Sequence, residues 1–234
     1  MKKILVIDFG SQYTQLIARR LRELNIYSEV RPWDEVSSLE DVEGFVLSGG
    51  PESSNIDGNP KIDKSIFDSK KPILGVCYGM QVLAYQEGGE IANEGKKEFG
   101  HAEIELKNNS LIFNGIDEKV NVWMSHGDKV KSLPEGYEII ASSNNSPIAA
   151  FQNHSKNHFG LQFHPEVTHT KFGTQIIENF VERCDIQQNW NASNILNQID
   201  EEVARTVKNE NVLLALSGGV DSTVLAAVLY KILG

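Results

Sequence analysis

In the stretch Pro72-Ile73-Leu74-Gly75-Val76-Cys77-Tyr78-Gly79-Met80-Gln81, a cysteine is flanked two residues away on each side by glycine. The apolar run before it reads as a buried strand, and Met80 to Tyr85 after it reads as a helix. Strand, sharp turn and helix start make a nucleophile elbow, with Cys where a hydrolase carries Ser. The glycines leave room for a turn that points the sulfur outward. The same turn aims the amide N–H of Tyr78 at the place where an oxyanion would form. The positive end of the helix favours the thiolate. A thiolate nucleophile needs a base, and the base needs an orienting group. Gly160-Leu161-Gln162-Phe163-His164-Pro165-Glu166 offers both. Pro165 biases His164 toward extended chain, where positions i and i+2 point to one side. His164 and Glu166 can then face one cleft, the carboxylate holding the imidazole.

Blander readings compete with this one. A lone cysteine is more often a small buried hydrophobe, and that is the expectation for Cys184. A single histidine is more often structural, but the His-Pro-Glu arrangement favours catalysis. A metal site is not expected. The six histidines include no H-x-x-x-H pair on a helix, and the chain has no C-x-x-C. His164, Glu166 and His169 fit no common zinc spacing.

The elements that must position these groups alternate early in the chain. Lys3 to Ile7 reads as a strand. Thr14 to Leu24 carries Leu16, Ile17, Leu21 and Leu24 at helical spacing. Glu29 to Arg31, Phe45 to Leu47 and Ile73 to Val76 read as further strands. This rhythm implies an α/β fold, a mostly parallel open sheet with helices on both faces. Ligands bind such sheets at the carboxyl ends of the strands, where Cys77 and Gly49-Gly50 fall. From about Ala102 to Phe163 the pattern turns to short strands and turns, and Thr174 to Arg183 reads as a closing helix. Asp8-Phe9-Gly10 also occurs in kinases, but there a whole lobe precedes it, so that reading is dismissed.

Composition is that of an ordinary globular chain: 234 residues, 40% hydrophobic and 23% charged. One or two domains fit this length. A net charge of −10 argues against a nucleic-acid surface. Membrane attachment is not expected either, since no long apolar run is present. Met1-Lys2-Lys3 leads straight into a strand rather than a signal peptide. Two cysteines, one of them catalytic in character, suit a reducing cytoplasm.

The elbow and the His-Pro-Glu run resemble the class-I, or triad, glutamine amidotransferases. Leu47-Ser48-Gly49-Gly50-Pro51 is similar to that family's second oxyanion loop, and Ser125-His126-Gly127-Asp128 to its glutamine-holding loop. The resemblance implies a triad of Cys77, His164 and Glu166, with oxyanion donors from the backbone of Gly50 and Tyr78. It further implies glutamine binding by Gln81, Ser125, His126, Gly127 and Asp128. No cofactor is implied for the glutaminase step.

A second motif follows the apolar run Val212 to Leu216, which reads as a strand buried on both faces. Ser217-Gly218-Gly219-Val220-Asp221-Ser222 opens a helical segment to Leu233. A glycine loop between strand and helix start cradles phosphate with backbone N–H groups. It is not a Walker loop, since G-x-x-x-x-G-K-[ST] is absent. It is similar to the pyrophosphate loop of the ATP pyrophosphatases, which implies ATP binding by Ser217, Gly218, Gly219, Val220, Asp221 and Ser222. Together with Ile4 to Tyr13 and His164 to Thr170, the two motifs resemble the purine-nucleotide ligases that aminate xanthosine monophosphate with ammonia from glutamine. That family implies ATP with Mg2+ and a homodimer for its full-length enzymes. Lys97 departs from it, where Arg is commoner, and an ammonium replaces a bidentate guanidinium.

Asp185 to Ala192 is polar and reads as a boundary, giving a glutaminase domain over 1–186 and a linker with an incomplete second α/β domain over 187–234. Asn194 to Lys208 reads as an amphipathic helix. Only 44 residues follow Trp190, against ~100 for a nucleotide-binding domain. The rival expectations are a stand-alone triad glutaminase or γ-glutamyl hydrolase, and a non-catalytic binding module.

Overall fold

The structure, a computed structural model, describes residues 1–36, 38–51, 60–92, 97–107, 110–208 and 210–234. These divide into two compact units, Met1–Gln188 and Asn189–Gly234.

The first unit runs β1 (Lys3–Asp8), α1 (Thr14–Glu23), β2 (Ser28–Pro32), β3 (Val42–Leu47), α2 (Lys64–Asp68), β4 (Ile73–Val76) and α3 (Tyr78–Gln86). It continues with β5 (Glu90–Ala92), β6 (Glu98–Leu106), β7 (Lys119–His126), β8 (Lys129–Ser132), β9 (Glu138–Ser142), β10 (Ala150–Asn153), β11 (His158–Leu161) and α4 (Gly173–Val181). A nine-stranded sheet has the order β2-β1-β3-β4-β11-β10-β9-β6-β7. The strands from β2 to β11 are parallel, and the rest extend the sheet antiparallel. β5 and β8 pair separately.

Sequence pattern explains the layering. β1 and β4 are apolar runs buried along their length, as expected of central parallel strands covered on both faces. Alternate residues of β1 point to opposite layers. Ile4 and Val6 pack with Ile17, Ala18 and Leu21 of α1 and with Ile176, Ile177 and Phe180 of α4. Leu5 and Ile7 pack with Ile66 of α2 and with Met80, Val82 and Leu83 of α3. Helices therefore cover both faces. β2 lies on one side of β1 and β3 on the other, so the connections diverge at β1 and open a crevice at the carboxyl edge.

The second unit holds α5 (Ala192–Val207) and α6 (Val220–Leu233), which pack against each other. The strand expected over Val212 to Leu216 does not form: these residues are outside any regular element. A strand needs a ladder of inter-strand hydrogen bonds, and among the described residues of this unit no strand pairs with it. Among its described residues the unit holds a helical pair and no strand. Leu213 is 99% and Leu216 61% exposed.

Candidate active site

The carboxyl ends of β1, β3, β4 and β11 deliver the residues around Cys77. Register is decisive. Leu47 of β3 pairs with Gly75, and Leu161 of β11 pairs with Val76. Cys77 follows at the crest with φ 52° and ψ −106°. For a non-glycine residue this conformation costs of order 1–3 kcal/mol and persists only where the surroundings impose it. They do. The Cys77 amide donates to Leu161 O at 2.7 Å, the Gly79 amide to Ser48 O at 3.0 Å, and the Gln81 amide to Cys77 O at 3.2 Å. The flanking glycines are sterically required. A Cβ on Gly79 would lie 2.4 Å from Leu47 O, and one on Gly75 would lie 2.7 Å from Gly79 O.

His164 and Glu166 meet, although Pro165 and Glu166 lie in a turn and not in the extended chain expected there. His164 Nδ1 lies 2.8 Å from Glu166 Oε1, with side chains 3% and 0% exposed. The His164 backbone is clamped from both sides: its amide donates to Trp123 O at 3.0 Å, and Thr170 Oγ1 donates to its carbonyl at 2.6 Å. Arg20 Nε donates to the Glu166 carbonyl at 3.0 Å. Burial works against a charged imidazole here. The Glu166 carboxylate, bonded to the ring, and the neighbouring Cys77 outweigh it and raise His164 to about 10. The imidazolium therefore persists at neutral pH. The Tyr13 ring stands edge-on to it, centroids 5.2 Å apart.

The Cys77 thiol donates to Ser125 O at 3.4 Å, placing the Ser125 to Asp128 loop beside the sulfur. Gln81, fully enclosed in α3, donates to Asp128 O at 2.7 Å. His126 Nδ1 lies 3.1 Å from Asp128 O and Nε2 lies 3.3 Å from Glu98 Oε2. Burial lowers the His126 pKa, and the Glu98 carboxylate offsets only part of that. Glu98 also accepts from Ser146 Oγ at 2.9 Å.

Cys77, His164, Gly50, Tyr78, Gln81, Lys97 and Ser125 to Asp128 line one cavity of ≈590 Å³, large enough for an amino-acid substrate. Glu166 stands behind His164. Gly50 belongs there for a steric reason, since a Cβ would meet Phe9 O at 2.9 Å and the Tyr78 ring at 3.2 Å. Sequence reasoning missed Tyr13, Phe99 and Gln162. Gln162 had a signal: it stands two residues before His164 in the run singled out for catalysis. Tyr13 and Phe99 had none, because only the fold brings them to the cavity.

A profile of the glutamine amidotransferase class-I family matches residues 5–184. The chain belongs to this family. Among relatives of this amidotransferase, a GMP synthase (glutamine-hydrolyzing) of Brachyspira hyodysenteriae is 47% identical over 99% of this chain and 46% of its own length. One from Aquifex aeolicus is 46% identical over 100% and 46%. The amidotransferase chain thus spans about half the length of the curated relatives it matches. A crystal structure from Thermoplasma acidophilum, described as that of a GMP synthase subunit, superposes with a TM-score of 0.69 at 34% identity, covering 78% of this chain and 94% of that one.

The Ser217 to Ser222 segment belongs to the second unit. Gly218 adopts φ +81°. Ser217 Oγ lies 3.1 Å from Ser222 Oγ and accepts from the Gly219 amide at 3.3 Å. Gly219 caps α6, and Asp221 lies in its first turn. Among the described residues no helix is long and apolar enough to cross a membrane.

Proposed function

We propose that Cys77 hydrolyses glutamine to glutamate and ammonia, and that the ammonia serves the amination of xanthosine monophosphate to GMP in a longer synthase. The observation that carries the first part is His164, which lines one cavity with Cys77 and is held 2.8 Å from a fully buried Glu166 carboxylate. Cys77 thiolate attacks the side-chain amide carbon. The amides of Gly50 and Tyr78 stabilise the tetrahedral oxyanion, each worth roughly 3 kcal/mol. His164 protonates the departing ammonia and the C–N bond breaks, leaving a glutamyl thioester. Neutral His164 then takes a proton from water, whose oxygen attacks the thioester carbon and expels the thiolate. Glu166 orients the imidazole throughout. Gln81 and the Ser125 to Asp128 loop hold the amino-acid end of glutamine, supported by their common cavity. No cofactor enters these steps.

The second part rests on relatives matched over almost the whole chain and on the Ser217 to Ser222 loop. The loop suits phosphate: nothing lies within 4 Å of a Cβ placed on Gly218, and α6 begins directly after Gly219. ATP held there with Mg2+ would supply adenylation, making AMP the leaving group that ammonia displaces. Ammonium is no nucleophile, so ammonia must pass between the two sites without meeting bulk water. A ligase of this kind works in the cytoplasm, in keeping with two unpaired cysteines, and the full-length enzyme is a homodimer.

Glutamate release from glutamine by the purified chain tests the first part, if necessary with a complementing synthetase half present. Cys77→Ala abolishes it. Equal release by Cys77→Ala would refute the assignment. The 234-residue chain alone forms no GMP from ATP, xanthosine monophosphate and glutamine; formation without the complementing half would overturn the division of labour.

A further inference from the structure

Gln162 is fully buried, and its side chain sits level with Cys77, because the paired residues Leu161 and Val76 immediately precede the two. A buried primary amide must satisfy both its donor and its acceptor ends. Gln81 Nε2 approaches Gln162 Oε1 at 3.5 Å, so the acceptor end faces Gln81. The donor end then faces the sulfur, with Gln162 Nε2 3.9 Å from Cys77 Sγ. Gln81 Nε2 at the same time donates to Asp128 O at 2.7 Å. The result is a chain of contacts from the substrate loop through two buried amides to the nucleophile.

The two protonation states of Cys77 use different partners. As a thiol it donates to Ser125 O at 3.4 Å. As a thiolate it has no proton to give and accepts a hydrogen bond from Gln162, alongside the positive charge of His164 in the same cavity. We propose that Gln162 is a positioning residue that stabilises the Cys77 thiolate, and that Gln81 couples this contact to the Ser125 to Asp128 loop. This rests on Cys77 being the nucleophile proposed above. Hydrogen bonds to a charged acceptor are about twice as strong as neutral ones, so the contact favours the thiolate over the thiol.

The experiment is the pH profile of Cys77 alkylation by iodoacetamide in the 234-residue chain, which reads the thiolate without turnover. Gln162→Leu removes the donor at similar volume. Its half-maximal pH is expected to rise by about one unit, with an approximately tenfold lower rate on the acid side of the wild-type midpoint. Gln162→Glu, which keeps the shape and places an acceptor against the sulfur, shifts it further the same way. Gln81→Leu gives a smaller shift, and the double variant less than the sum. Far-ultraviolet circular dichroism confirms the fold of each variant; should Gln162→Leu not fold, Gln162→Glu decides. Profiles that superimpose on wild type would overturn the role of Gln162. Alkylation at Cys184 and not Cys77 in the wild-type chain would instead overturn the nucleophile assignment.

Discussion

His164 and Glu166 form a buried pair 2.8 Å apart, with the second carboxylate oxygen, Glu166 Oε2, enclosed and without a hydrogen-bond partner among the described residues. One oxygen therefore holds the imidazole, and its negative charge is hardly screened by solvent. That keeps His164 protonated well above its ordinary range.

The pair makes stability depend on pH. The pKa of His164 rises from 6.5 to about 10 on folding, so the folded state binds more protons between those values. Its contribution is full below about 6.5 and is lost as pH rises through about 10. Glu166→Gln removes the main attraction. Urea titrations at pH 6, 8 and 10 are expected to show the gap between wild type and Glu166→Gln shrinking steadily with pH. A gap that widens toward pH 10 would contradict the pairing.

His158 works in the opposite sense. Burial pushes it down to about 4, and its Nδ1 lies 2.7 Å from Tyr137 Oη. The unfolded chain takes up this proton near 6.5 and the folded chain near 4, so stability falls as pH drops through that window. His158→Gln should flatten the drop in thermal midpoint between pH 6.5 and 4.5. Identical pH slopes in the two proteins would place the acid sensitivity elsewhere.

The two cysteines should differ sharply in reactivity. Cys184 is buried, and its thiol is pushed up to about 12 by that burial, with the Glu43 carboxylate adding to the effect. Cys77 lines the cavity beside His164. A glutamine-like alkylating agent at pH 7.5 should label one cysteine per chain, found at Cys77 by peptide mapping. Modification of Cys184 first would reverse the assignment.

Gly79→Ala is expected to destabilise the chain by roughly 1–3 kcal/mol or more, because overpacking displaces backbone. The obstructing atom is the Leu47 carbonyl, 2.4 Å away, which belongs to a central strand and cannot yield. Gly88→Ala is the contrast: nothing obstructs a Cβ there, and only φ +103° strains it. It should cost about 1 kcal/mol. Chemical denaturation of both variants orders them, and a larger loss at Gly88 would refute the steric account.

Ending the chain at Gln188 should leave the first unit folded, since the nine-stranded sheet and its helices lie within it. It should also improve solubility, because Leu213, Leu216, Val220 and Tyr230 are all more than 60% exposed and large apolar exposure promotes association. Light scattering and Cys77 labelling of residues 1–188 check both. Loss of cooperative unfolding would show that the second unit is needed for folding.

What the sequence determined by itself was local. The elbow at Cys77 follows from glycines two residues either side of it, and the His-Pro-Glu run sets His164 and Glu166 two residues apart, close enough for a local turn to join them. The apolar runs of β1 and β4 likewise announce buried parallel strands. What only the tertiary structure decided depends on pairing between distant segments. Register between β4 and β11 sets Gln162 beside Cys77, and closure of the β1 loop stands Tyr13 against His164. The same dependence explains the one element that failed. Val212 to Leu216 has the composition of a central strand, but a strand exists only as half of a hydrogen-bonded pair. Composition sets what a segment can become; a partner at the right register decides whether it does.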